Sequence, residues 1–253
     1  MPKTLRVLCF GDSLTSGYHS FGLGSHPYSE ALRTRLFAAF PDAEIQVRTN
    51  GVPGDVAAFP GFKERFQNEL SIRQYDWVIL LAGTKYVPPD NPHLRMYEDR
   101  VLTECSDIAM GIPVHNTFNV LKFLYSYTQA KGASVLALTV PETAHRSASV
   151  DEKRADLNAR IMAHYMNLMA KIPYHGLTEF QKNMYWGDGL HLTEQGYDWM
   201  GEHISDALIK ILKKQDEDGT NPQADAETDY DEEYGDPGDI SQGYIVVRKT
   251  DLY

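Results

Sequence analysis

Apolar side chains gather in this chain into short runs, separated by longer stretches in which they recur every three or four positions. The runs are LRVLCF at 5–10, EIQVR at 44–48, WVILLA at 77–82 and SVLALTV at 134–140, with a weaker fifth around 172–177. These are the strand candidates, and WVILLA, wholly apolar with β-branched Val78 and Ile79, has the pattern of a strand buried on both faces. The periodic stretches, at 28–40, 61–70, 117–131, 150–171 and 193–214, read as helices. Thr193 is a good N-cap for the last of them, and Leu208, Ile209, Ile211 and Leu212 continue its apolar face. Strands alternating with helices predict right-handed crossovers and a parallel sheet covered on both sides. Residues 87–114 break the pattern, opening with PPDNP. A connection that long is either a lid or binding loop, or a surface excursion.

The chain has 253 residues and 42% hydrophobic content, enough for one domain with a real core and some excess. No apolar run approaches the ~20 residues that span a bilayer. The opening MPKTLRVLCFGDS lacks a small-residue cleavage site and leads straight into a turn, so it reads as the first strand and not as a leader. There is no Asn-x-Ser/Thr acceptor, and the expected location is cytoplasmic. Cys9 and Cys105 fit no metal or redox spacing and read as reduced thiols.

The formal charge of −11 belongs to one place. Residues 215–239 hold 11 acids and no Lys or Arg. Taking those 11 from the 35 acidic side chains leaves 24, equal to the 24 lysines and arginines of the whole chain. The body is formally neutral, so charge offers no argument for nucleic acid or an anionic membrane as partner. The organisation expected is a catalytic domain at 1–214 and an acidic linker, disordered by composition, at 215–242. The apolar, β-prone end at 243–253 is then an edge strand, a short recognition segment or an unstructured terminus.

Three stretches carry chemistry. GDSLTSGY, at 11–18, puts Asp12 and Ser13 at the carboxyl end of the first strand, the edge of an open α/β sheet where ligands bind. A serine there is a nucleophile if a base reaches it, and otherwise a turn or cap residue. WGDGLHLTEQGY, at 186–197, places Asp188 three residues before His191. That spacing lets the carboxylate reach Nδ1–H, fix the tautomer and leave Nε2 free to take a proton. TNGVPGDV, at 49–56, describes a tight loop whose backbone N–H groups can face a ligand. The other eight histidines lack such a partner and no H-E-x-x-H occurs, so neither a metal nor another cofactor is expected.

Together these stretches resemble the SGNH hydrolases, the GDSL esterase and lipase family, over most of residues 5–212. FGDSLTSGY is similar to the nucleophile block, NGVPGD to the second block and DGLHLTEQGY to the last. HPYSEALRTRL, YDWVIL and VLALTVPE resemble intracellular fungal members. The resemblance implies a three-layer α/β/α flavodoxin-like fold with five parallel strands in the order 2-1-3-4-5. It implies hydrolysis of a small carboxylic ester or thioester without a cofactor, with Ser13 as nucleophile and Asp188 and His191 completing a triad. The backbone N–H groups of Ser13 and Gly54 would face the oxyanion.

One block departs. Where the family reads G-x-N-D, this chain has Gly83, Thr84, Lys85 and Tyr86, so Lys85 stands at the oxyanion-hole asparagine. An ammonium donates with charge, but on a longer and more flexible stem than an amide. Four roles follow for it: a charged donor, a like charge opposing the imidazolium of His191, an ion pair with Asp12, Asp55 or Asp188, or a contact to an anionic substrate. The chain is accordingly a serine acyl hydrolase with an altered oxyanion hole, an acyltransferase using the same first step, or a binding protein on a degenerate site. Tyr18, Tyr28, Tyr86 and Met96 are the residues that would line an acyl pocket, or else belong to the core.

Overall fold

The first apolar run forms β1, Thr4–Gly11, which sends side chains alternately to two apolar layers. Leu5, Val7 and Cys9 go to one side, Leu8 and Phe10 to the other, and all five are buried. The structure is a computed structural model and describes residues 4–84, 112–144, 147–164, 172–217 and 245–246. After β1 come α1, Ser13–Ser16, and a small antiparallel hairpin of β2, Tyr18–His19, and β3, Gly24–Ser25, joined by a 3₁₀ turn at Ser20–Gly22. Then follow α2 (Ser29–Ala39), β4 (Glu44–Gly51), α3 (Pro60–Ile72) and β5 (Trp77–Leu81). The remaining elements are α4 (Val114–Ala130), β6 (Ser134–Ala137), α5 (Ala148–His164), α6 (Glu179–Tyr185), α7 (Glu194–Glu217) and β7 (Ile245–Val246).

The sheet runs β4-β1-β5-β6-β7. β4, β1, β5 and β6 are mutually parallel, in registers that align Gly11 with both Gly51 and Leu81. One face packs on α3, α4 and α5 through Phe62, Phe66, Leu121, Leu124, Leu157 and Ile161. The opposite face packs on α2 and α7 through Leu32, Leu36, Tyr197, Met200, Ile204 and Leu208. Each such side chain contributes roughly 1.5–3 kcal/mol through removal from water. This is the expected three-layer α/β architecture.

The fifth strand differs from the expectation. Residues 172–177 form no strand, and the fifth position is taken by β7, antiparallel to β6 through Leu136↔Val246 and Ala137↔Ile245. Pro173 lacks a ladder donor, and the next two N–H groups, of Tyr174 and His175, both donate to Glu142 Oε2 at 2.9 Å. A side-chain carboxylate has taken the hydrogen bonds a strand would need. A similar capture follows β6: Leu138 N–H still donates to Leu80 C=O, but Asn158 accepts from Val140 N–H and donates to Val140 C=O, so the apolar run 134–140 leaves the sheet before its end. Helix α6 was not anticipated, although Thr178 and Gln181 form a capping box at its start.

Tyr28 is a core residue, not a pocket residue, since it is fully buried beside Cys9. Burial pushes the Cys9 thiol up to about 12, only partly offset by a hydrogen bond with Tyr28, which makes it an inert thiol. Lys85, Tyr86, Met96 and Cys105, the segment 87–111, and the acidic stretch from 218 onward lie outside the described residues. No helix among the described residues is long and apolar enough to cross a membrane.

Candidate active site

At the carboxyl edge of the sheet, β1 ends in Gly11 and the chain turns at once into α1. Asp12 caps that turn, accepting Leu14 N–H at 3.1 Å through Oδ1, while its Oδ2 accepts the Thr84 hydroxyl. The cap therefore also ties the end of β1 to the residues following β5. Gly51, the last residue of β4, makes this packing possible: a Cβ there would lie 2.2 Å from Ser16 N. Ser13 sits at the start of α1, 6% exposed.

The second half of the site comes from the turn before α7. Asp188 Oδ1 accepts the backbone N–H of Leu190 at 2.9 Å and of His191 at 2.7 Å. These bonds curl the chain so that Asp188 Oδ2 lies 2.8 Å from His191 Nδ1. On the other side of the ring, His191 Nε2 lies 3.1 Å from Ser13 Oγ. The Nδ1 contact with the carboxylate places the ring proton there, so Nε2 accepts from the serine hydroxyl. His191 is 3% exposed, and the Tyr18 ring packs against it with centroids 4.6 Å apart. Thr193 closes the turn as the N-cap of α7, accepting Gly196 N–H and donating to Met184 C=O. The Ala144 N–H holds Gly189 C=O at 2.7 Å, fastening the turn to the loop after β6.

Electrostatics favour the charged form of Asp188. Burial works to raise its pKa, but the hydrogen bond and Coulombic attraction of His191, with the two backbone donors, outweigh it and hold the carboxyl below its ordinary value.

Residues 52–55, V-P-G-D, form the loop after β4. Asp55 N–H donates to Val52 C=O at 3.2 Å, and Gly54 has φ +75, the geometry of a type II turn with Pro at the second position and Gly at the third. Val52 N–H in turn donates to Gly11 C=O, one residue from Asp12. Of the three carboxylates open to Lys85 as partners, Asp55 is held by Arg65 at 2.8 Å, Asp188 by His191, and Asp12 by Leu14 and Thr84. Arg65 and the Asp12–Thr84 contact escape a sequence reading, because each joins positions far apart in the chain. The described residues contain no cluster of three or more His, Cys, Asp or Glu able to hold a metal ion.

Serine, imidazole and carboxylate in hydrogen-bonded succession, at the carboxyl edge of an α/β sheet, are the arrangement that acyl-transferring serine enzymes use. The chain belongs to the GDSL-like lipase/acylhydrolase family, whose profile matches residues 9–199. No curated protein sequence matches it. Among solved structures it is similar to a lipase/acylhydrolase from Enterococcus faecalis, at 19% identity over 82% of this chain and 96% of that one, TM-score 0.56. It is also similar to the psychrotrophic esterase EstA from Pseudoalteromonas sp., inhibited by monoethylphosphonate, at 16% identity over 84% and 100%, TM-score 0.56. A third is the acetylxylan esterase Axe2 from Geobacillus stearothermophilus, in a catalytic-mutant form, at 16% identity over 82% and 93%, TM-score 0.53. At these identities the likeness is one of fold.

Proposed function

We propose that the chain hydrolyses small carboxylic esters or thioesters through Ser13, His191 and Asp188. The observation that carries this reading is the His191 ring, 2.8 Å from Asp188 on one side and 3.1 Å from Ser13 on the other. Ser13 Oγ attacks the acyl carbonyl as its proton passes to His191 Nε2, and Asp188 stabilises the imidazolium. Collapse of the tetrahedral species breaks the bond to the leaving oxygen or sulfur, which takes the proton from Nε2. Water then repeats the sequence on the acyl-serine, releasing the acid and restoring the serine.

The carbonyl oxygen becomes negative in both tetrahedral species. In this reading the N–H groups of Ser13 and Gly54 face that oxygen, and Lys85 stands where a third donor belongs. The carboxylates Asp12, Asp55 and Asp188 each already hold another group: Leu14 and Thr84, Arg65, and His191 respectively. The test is hydrolysis of a short activated ester by the parent and by Lys85→Asn. The parent turns over, and Lys85→Asn is slower, by less than the ~10²–10³ that complete loss of one donor costs. An inert parent that Lys85→Asn switches on would reverse the reading. The lysine would then have disabled the triad, and the chain's role would be binding.

A further inference from the structure

The fork of Arg65 binds three pieces of chain that meet at the site. Its Nε donates to Asp55 Oδ2 at 3.0 Å. Nη1 donates to Asn50 C=O at 2.8 Å and to Asn50 Oδ1 at 2.5 Å. Nη2 donates to Gly11 C=O and to Asp55 Oδ2, each at 2.8 Å. A guanidinium has five N–H donors, and all five are used. The plane also lies over the Phe10 ring, 3.9 Å from guanidinium carbon to centroid, so its orientation is fixed from a third direction. Burial draws its pKa below the ordinary value, against the opposing effect of Asp55.

The three residues that accept from Arg65 are not arbitrary. Gly11 is the last residue of β1, two before Ser13, Asn50 lies at the end of β4, and Asp55 is the final residue of the turn that carries Gly54. Gly11 C=O already receives Val52 N–H, so one carbonyl joins both the guanidinium and the first residue of that turn. The turn itself holds few apolar anchors: Val52, Pro53 and Gly54 are exposed. Among the described residues nothing would meet a Cβ at Gly54 within 4 Å. The directional bonds to Gly11 and Arg65 hold the turn.

We propose that Arg65 is a positioning residue that sets the Gly54 turn against Ser13, and so aligns the two backbone donors on one oxyanion. This rests on the hydrolase reading for the role of Gly54, whereas the positioning itself is a property of the fold. Lysine cannot replace it, because an ammonium carries three donors at one point and cannot span Gly11, Asn50 and Asp55 at once. Misplacement of a donor weakens transition-state stabilisation more than substrate binding, so the loss falls on kcat.

The experiment compares the parent full-length chain, Arg65→Lys and Asp55→Asn on a short activated ester, with ¹⁵N amide spectra of each. In Arg65→Lys, kcat falls about 10- to 100-fold with KM within about threefold. Asp55→Asn keeps an oxygen acceptor for the fork and loses less. The Gly54 and Asp55 amide resonances shift in Arg65→Lys, while those of Val135 and Leu136 in β6 stay in place and show the variant is folded. An unmoved Gly54 amide, or a loss confined to KM, overturns the proposal. If the parent hydrolyses no ester but the Gly54 amide still follows Arg65, the hydrolase reading fails and the positioning role stands.

Discussion

Ser13→Ala and His191→Ala each lower ester turnover by about 10⁴- to 10⁶-fold, and the double variant is scarcely worse than either alone. Non-additivity follows from the geometry. The Ser13 hydroxyl is useful only while Nε2, 3.1 Å away, can accept its proton, and without an acyl-serine the imidazole's later proton transfers to leaving group and from water have nothing to act on. Whatever rate remains reports the oxyanion donors and substrate binding. Rate constants for the two single variants and the double variant check this. Losses that multiply would mean that the two side chains act independently.

Asp188→Asn lowers turnover by about 10⁴-fold without unfolding the protein. An amide keeps an oxygen for the Leu190 and His191 N–H groups but turns its NH₂ toward Nδ1. The ring then accepts at Nδ1 and carries its proton on Nε2, the wrong side to receive one from Ser13. The same substitution changes the pH dependence of stability, with a definite sign. The folded-state pKa of Asp188 is depressed, so its ionised form stabilises the fold above the unfolded pKa, about 3.9. That contribution is lost as pH falls through the lower folded value. The stability gap between parent and Asp188→Asn is therefore full at neutral pH and closes below about pH 4, as urea midpoints across pH will register.

Much of the site was legible because it depends on short local patterns. The Asp188 to His191 spacing closes within one turn, and V-P-G-D demands a tight turn with Gly at positive φ. Three of the four parallel strands were legible for a similar reason, since β1, β5 and β6 show as near-continuous apolar runs, whereas the edge strand β4 shows only Ile45 and Val47 alternating with polar residues. What escaped depends on convergence of distant residues. Arg65 reads as one more charge on an amphipathic helix until β1, β4 and the 52–55 turn are assembled around it. The segment 172–177 carries enough apolar residues to suggest a strand, and only the Glu142 carboxylate, thirty-odd residues upstream, shows why it is not one. Tyr28 illustrates the same limit from the other side, since composition does not separate a pocket aromatic from a core aromatic.

The central claim is that Ser13 is an activated nucleophile. The most direct measurement is incubation of the full-length chain with a fluorophosphonate probe, followed by mapping of the adduct by peptide mass spectrometry. The account predicts one adduct, on Ser13, formed by the parent and not by His191→Ala. A parent that stays unlabelled, or labels at a different residue, would contradict it.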